Sequence, residues 1–263
     1  MYPFRYHRPA SVADALAVLR GAADGRLIAG GMTLLPALKQ RLAGPSDVID
    51  LGDLDALRGI RLVDAAVEIG ALATHDAVAT SAVVASDIPA LAALAGGIGD
   101  PQVRNRGTLG GSIANNDPAG DYPAAVLALD AIVHTDRRRI AADDYFRGMF
   151  ETALAPDEII TKVSFPVPFQ AAYARFDQPA SRYALVGVFV ARTPSGVRVA
   201  VTGAAPCVFR PAAIEERLSA HFTPKALAGL AIDPDGLNTD IHASAEYRAH
   251  LITVMTRRAV AAA

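Results

Sequence analysis

Apolar residues spaced along one face after Ser11 predict a first helix, Val12 to Leu19, with the Ser11 hydroxyl as its N-cap. A short apolar run, Leu27 to Ala29, reads as a buried strand. Thr33 before Leu34-Leu35-Pro36 reads as a second N-cap, with proline in the first helical turn. Asp50-Leu51-Gly52-Asp53 ends this lobe. Beyond it, Gly59 to Asp64 and Ala66 to Gly70 pattern as paired strands, Thr74-His75-Asp76 caps a helix, and an alanine-rich helix runs from Ile88 to Gly96. Asp121 is a candidate N-cap before Tyr122-Pro123 and the apolar run Ala124 to Leu129. Two close prolines, Pro166 and Pro168, interrupt either regular structure and mark a boundary. Tyr183 to Ala191 and Val197 to Thr202, joined by Thr193-Pro194-Ser195-Gly196, read as a hairpin. Helices close the chain, Ala245 to Val260 being the clearest.

Two glycine-rich stretches break this pattern. The first, Arg26 to Pro36, sets Gly30-Gly31 between the predicted strand and helix, where glycine admits positive φ and close approach of a ligand to the main chain. Free N–H groups at the helix start can then face a phosphate. The second, Arg104 to Pro123, places Gly110-Gly111 beside Thr108 and Ser112. It reads as a loop of some twenty residues, far longer than the usual connection of about 4–6. A Gly-Gly pair alone reads equally well as a turn; the length of the second stretch points to a ligand. No Lys-Ser/Thr follows either glycine pair and the spacing is not G-x-G-x-x-G, which argues against ATP hydrolysis and a Rossmann NAD site.

Composition narrows the field. The chain has 263 residues, 52% of them hydrophobic and 20% charged, so it can bury a large core and subunit contacts besides. A net charge of -2 gives no support for nucleic-acid binding. No apolar run reaches the roughly 18 residues of a membrane span and Met1-Tyr2-Pro3-Phe4-Arg5 does not begin a signal peptide, so the expectation is a cytoplasmic protein. The single cysteine, Cys207, excludes an internal iron–sulfur cluster or disulfide and reads as a small packed hydrophobe. His7 and His75 are candidate points of covalent flavin attachment, with a polar surface or capping role as the favoured reading. Arg137-Arg138-Arg139 reads as a solvated turn between strands.

The segments Ala29-Gly30-Gly31-x-Thr33-Leu34-Leu35-Pro36, Gln102-Val103-Arg104-Asn105-x-Gly107-Thr108-Leu109-Gly110-Gly111-Ser112-Ile113 and Asp117-Pro118-Ala119-x-Asp121-Tyr122-Pro123-Ala124 resemble the FAD-binding medium subunit of the molybdenum hydroxylases, the xanthine dehydrogenase and carbon monoxide dehydrogenase family. The likeness runs nearly end to end, from Phe4-x-Tyr6-x-Arg8-Pro9 through Phe146-Arg147-Gly148 and Leu154-x-Pro156-x-Glu158-Ile159 to Ser244-Ala245-Glu246-Tyr247-Arg248. It implies an α+β fold: a two-lobed FAD-binding domain of the PCMH type over 1–167, with lobes of about 1–56 and 57–167, then a small C-terminal domain of antiparallel sheet and helices over 168–263. The implied cofactor contacts are Leu27, Ile28, Ala29, Gly30, Gly31, Met32, Thr33 and Leu34, then Thr108, Leu109, Gly110, Gly111 and Ser112. Asp121 matches an acidic position that accepts hydrogen bonds from loop amides or ligand hydroxyls, helix capping being the other reading. Ile98 and Ile160 match apolar flavin or adenine contacts, or are core residues, and Tyr183 matches a tyrosine beside the isoalloxazine.

Met32 replaces a residue that is often polar in relatives, and a basic residue of several relatives has no clear equivalent near Gln178-Pro179-Ala180-Ser181, Arg175 being the candidate. The resemblance implies an electron-transfer subunit whose partners are a molybdenum-binding large subunit and a small subunit with [2Fe-2S] clusters, in a two-copy hetero-hexamer. It leaves the substrate open among carbon monoxide, an aldehyde, a purine or an N-heterocycle, and the acceptor open among a quinone, NAD or oxygen. A stand-alone flavin oxidoreductase and a nucleotide-binding module without redox role are the alternatives.

Overall fold

The structure, a computed structural model describing residues 1–263, opens with a parallel sheet. Strand β1 (Arg5–His7), helix α1 (Val12–Gly21), β2 (Gly25–Ile28), α2 (Leu34–Lys39) and β3 (Asp47–Asp50) alternate, and the strands pair in the order β1-β3-β2. Parallel neighbours need crossovers, which the helices supply. Ser11 Oγ accepts from the Asp14 amide and starts α1, whose Ala15, Leu16 and Leu19 pack on Ile49. The sheet ends with β2 at its edge, and its open end leads straight into Gly30.

A 3-10 turn at Asp55–Leu57 leads into the second lobe. There β4 (Ile60–Val63) and β5 (Ala66–Gly70) form the expected hairpin, followed by α3 (His75–Thr80), α4 (Ala82–Asp87), α5 (Pro89–Gly96), α6 (Pro101–Arg104), α7 (Leu109–Asn115) and α8 (Tyr122–Ala128). Then come β6 (Ile132–Thr135), β7 (Arg139–Ala141), α9 (Ala142–Tyr145), the small hairpin β8 (Phe146–Gly148) and β9 (Glu151–Thr152), and β10 (Ile160–Pro166). The main sheet is antiparallel in the order β4-β5-β10-β6-β7. Every residue of α8 is buried, so this helix carries no polar face. The stretch read as one long loop runs from the end of α6 to the start of α8 and holds α7, with Gly110 and Gly111 inside the first turn of that helix.

After Pro166 the chain forms a second antiparallel sheet, β11 (Gln170–Asp177), β12 (Ala184–Thr193) and β13 (Gly196–Thr202), followed by α10 (Ala212–Ala220) and α11 (Ala245–Ala262). Strand β12 is central and its two faces enter different cores. Phe189 and Ala191 join the core built from α5, α8 and the second-lobe sheet, whereas Val186, Val188 and Val190 face Ile252 and Met255 of α11. That double burial explains why β12 reads as a continuous apolar run without alternation. Arg248, 3% exposed, donates from α11 to the carbonyls of Leu185 and Gly203 at 2.8 Å each and to Asp240 at 2.7 Å. The Ser244 to Arg248 motif therefore fastens the last helix to the sheet.

Candidate cofactor site

The first glycine pair bends the chain out of β2 and into α2. A Cβ on Gly30 would stand 1.8 Å from the Arg106 carbonyl oxygen and 2.9 Å from the Gly107 Cα, so only glycine lets the two glycine-rich segments touch. Gly31 has φ 75°, which glycine adopts freely. The backbone N–H groups of Gly30, Gly31, Met32, Thr33 and Leu34 donate to no protein acceptor. Consecutive unpaired amides on a bend form an anion cradle. Thr33 is not the capping residue expected: its backbone is already helical at φ -103° and ψ -48°, and its hydroxyl makes no cap bond. Leu27, Ile28 and Ala29 are half-buried on an edge strand rather than buried, and Met32 is exposed.

The second segment differs from the free loop the sequence suggests. Thr108 Oγ1 caps α7 by accepting from the Gly111 amide at 3.0 Å, and the Ser112 amide bonds the Thr108 carbonyl at 3.0 Å. Residues 71–75 run alongside: the amides of Leu109 and Gly110 donate to the carbonyls of Ala73 and Ala71 at 3.0 and 2.8 Å. A Cβ on Gly110 would meet Ala71 at 2.7 Å, and one on Gly107 would meet His75 Nε2 at 2.5 Å. These glycines answer packing inside the protein. Gly107 also abuts Gly30, and Gly111 faces the first segment as well, its Cβ position lying 2.9 Å from Thr108 Oγ1 and 3.9 Å from Ala29 Cβ. The Thr108 amide and the Ser112 hydroxyl have no protein partner.

His75 is a buried core residue, not a surface one. It is 5% exposed beneath Gly107, its ring 5.3 Å from that of Tyr122, and its amide donates to the Gly107 carbonyl at 2.9 Å. Burial, with Arg104 nearby, lowers its pKa to about 4. Its Nδ1 and the Tyr122 hydroxyl have no partner. His7 bonds Asp47 through Nε2 at 2.7 Å.

Asp121 caps nothing. Its backbone is helical and its buried carboxylate accepts from the Tyr173 hydroxyl at 2.5 Å and from Arg175 Nη1 at 2.9 Å. Burial pushes the Asp121 carboxyl upward, against the pull of the Arg175 cation. Arg175 also donates to the Gly97 carbonyl at 2.9 Å and contacts Asp177, so β11 is clasped to the ends of α5 and α8. Tyr173 was not legible as a site residue. Tyr183 leads into β12 from a turn in which Gln178 Oε1 accepts from the amides of Ala180 and Ser181 at 2.6 and 2.7 Å. The phenol is 52% exposed, and burial of the rest of it, with Asp117 and Asp121 nearby, raises its pKa. Ile98 is half-buried, its carbonyl bonded by Arg104 at 3.1 Å. Ile160 lies in the second-lobe core, 6% exposed, next to Thr161, whose carbonyl accepts from the amide of Ala71, the residue that bonds Gly110.

The structure thus joins both glycine segments and gathers Asp117, Asp121 and Tyr183 in one neighbourhood, with Ile160 in the core. A free-amide cradle beside a wall that admits no Cβ fits a dinucleotide pyrophosphate.

Comparison with known proteins agrees. Residues 2–168 match the family described as the FAD binding domain in molybdopterin dehydrogenase. The nicotine 6-hydroxylase medium subunit of Paenarthrobacter nicotinovorans is 40% identical, covering 97% of this chain and 95% of its own. The carbon monoxide dehydrogenase medium chain of Hydrogenophaga pseudoflava is 35% identical over 99% of this chain and 96% of its own. Among solved structures, reconstituted CO dehydrogenase from Oligotropha carboxidovorans superposes with a TM-score of 0.91 at 34% identity, covering 98% and 96% of the two chains. Quinoline 2-oxidoreductase from Pseudomonas putida 86 gives 0.88 at 28% identity, covering 100% and 98%.

Proposed function

From the premise that this chain belongs to the family of FAD-binding subunits of the molybdenum hydroxylases, we propose that it takes electrons from [2Fe-2S] clusters of a small partner subunit and passes them to an external acceptor. A large partner subunit with the molybdenum cofactor oxidises the substrate. The observation that carries the reading is the run of unpaired amides from Gly30 to Leu34 facing a segment with no room for Cβ atoms.

The amides of Gly30 to Leu34 hold the FAD pyrophosphate, with the Thr108 amide and the Ser112 hydroxyl as further donors. Leu27, Ile28, Ala29, Met32 and Gly111 shape the walls, Leu109 and Gly110 back them from the core, and Ile98 and Ile160 supply or back the apolar surface. Tyr183 lies against the isoalloxazine. Asp121 acts through Arg175 and Tyr173, fixing the strand that leads to Tyr183 rather than capping a helix. Bound FAD supplies the redox chemistry, and the chain binds, orients and shields it. One cysteine leaves no internal relay, so the electron donor comes from another chain, in a hetero-hexamer of two copies of three subunits. We set the boundary between the FAD-binding unit, 1–167, and the C-terminal unit, 168–263, at the Pro166–Pro168 stretch, a reading that the extent of the family match, residues 2–168, supports. The C-terminal sheet shares a core with the second lobe and covers it, which argues against a separate substrate domain. No helix is long and apolar enough to cross a membrane, in keeping with a cytoplasmic complex.

Tagged chain purified from its native host should bring down one molybdenum-containing and one iron–sulfur partner. In that complex, substrate should bleach the flavin absorbance; substrate oxidation by the isolated chain alone would overturn the proposal.

A further inference from the structure

The closing Ser244 to Arg248 motif holds more than the last helix. Helix α11 already packs on the C-terminal sheet through Leu251, Ile252, Met255 and Val260, so anchoring it needs no buried cation. Arg248 is nevertheless 3% exposed, with its Nε left without a partner and its two terminal nitrogens fully committed. Nη1 donates to the carbonyls of both Leu185 and Gly203, and Nη2 donates to Asp240.

Both carbonyls lie at breaks in the pairing of the sheet. The β11–β12 ladder pairs Phe176 with Val186 and Asp177 with Ala184, so Leu185 is the extra residue of a bulge. A bulge bends its strand and re-aims the side chains beside it, and Tyr183 stands two residues before this one. The β12–β13 ladder ends at Gly187 and Thr202, and Gly203 leaves it with φ 80°. From there the bonds run to the segment between α7 and α8. The Gly203 amide donates to the Pro118 carbonyl at 2.7 Å, and the Thr202 hydroxyl lies 3.0 and 2.6 Å from the carbonyls of Pro118 and Gly120. One guanidinium therefore ties the bulge that follows Tyr183 to the segment that leads into Asp121.

Building on the reading of Tyr183 as the tyrosine beside the isoalloxazine, we propose that Arg248 is a positioning residue for the flavin site, fixing the Leu185 bulge and through it the angle at which Tyr183 meets the ring. On its other side Tyr183 is held by the turn at Gln178 to Arg182: its amide donates to Ser181 Oγ at 3.3 Å, and its carbonyl accepts from the Gln178 amide at 2.9 Å. The turn sets where the tyrosine leaves the loop, and Arg248 sets where it enters the strand.

The first arm of the test uses the deflavinated full chain. The chain has no tryptophan, so Tyr183→Trp gives a single reporter at the site, and Phe169→Trp gives one beyond the opposite end of β12, where the Phe169 amide bonds the Arg192 carbonyl. Adding Arg248→Met should raise the acrylamide quenching constant of the reporter at 183 about twofold and leave that at 169 unchanged. Arg248→Lys, whose compact ammonium lacks the planar fork, should give a smaller rise confined to 183, and it decides the matter if the methionine variant does not fold. An unchanged reporter at 183, or an equal rise at both positions, would overturn the proposal.

The second arm uses the chain with FAD bound. Arg248→Met, or Arg248→Lys in its place, should shift the visible flavin bands, and the shift should vanish in a Tyr183→Ala background because the two residues act in series. The same shift in both backgrounds would overturn the proposal. Flavin bands that Tyr183→Ala alone leaves in place, or a purified chain without FAD, would instead contradict the reading on which it rests.

Discussion

At the scale of single residues, Gly30 carries the sharpest constraint. Gly30→Ala forces its new Cβ against a backbone carbonyl, which cannot rotate away as a side chain would, so the two glycine segments must part. The expected cost is about 2 kcal/mol of stability together with loss of bound FAD, read by urea unfolding and flavin absorbance. Gly21→Ala is the control, because a Cβ there meets nothing within 4 Å. His75 sets a pH window. Its pKa is about 4 when folded and near 6.5 when unfolded, so the unfolded chain binds more protons between these values. Stability is complete above pH 6.5 and falls by about 3 kcal/mol as pH drops toward 4. Glu158, lowered to about 2 by its bonds to Arg138, gives way only below its ordinary 4.5, so the two losses separate on the pH axis. His75→Leu should flatten the urea-midpoint profile between pH 6.5 and 4; an unchanged slope would place the titration elsewhere.

At the scale of elements, the clasp of Asp121, Tyr173 and Arg175 joins β11 to the ends of α5 and α8. Arg175→Met leaves a buried carboxylate without its cation and should cost about 3 kcal/mol in urea unfolding. Asp121→Asn combined with Arg175→Met should recover part of that loss. Most elements were legible in sequence: Ser11 and Thr74 cap their helices, and the hairpins β4–β5 and β12–β13 follow the apolar pattern. Helix α7 was hidden because glycines at its first turn mimic a loop, and their cause, the approach of Ala71 and His75, is distant in sequence. Strand β11 was hidden by small alanines that blur its alternation. Asp121 looked like a cap because Tyr122-Pro123 follows it; only the fold brings Arg175 within reach.

At the scale of the whole molecule, the proposed site draws on the parallel lobe, the antiparallel lobe and the strand that leads to Tyr183, so on that reading ligand binding should couple to global stability. Free FAD at 100 times its Kd should stabilise the deflavinated chain by about 2.7 kcal/mol in urea unfolding, and FMN, which lacks the adenylate half, should do less. The most direct test of the account is acid precipitation of the purified chain. It predicts a yellow protein that releases all of its flavin to the supernatant as FAD, about one per chain, since neither His7 nor His75 stands free to attach it: His7 bonds Asp47 and His75 is buried. Recovery of FMN alone, of no flavin, or of flavin fixed to the pellet would contradict it.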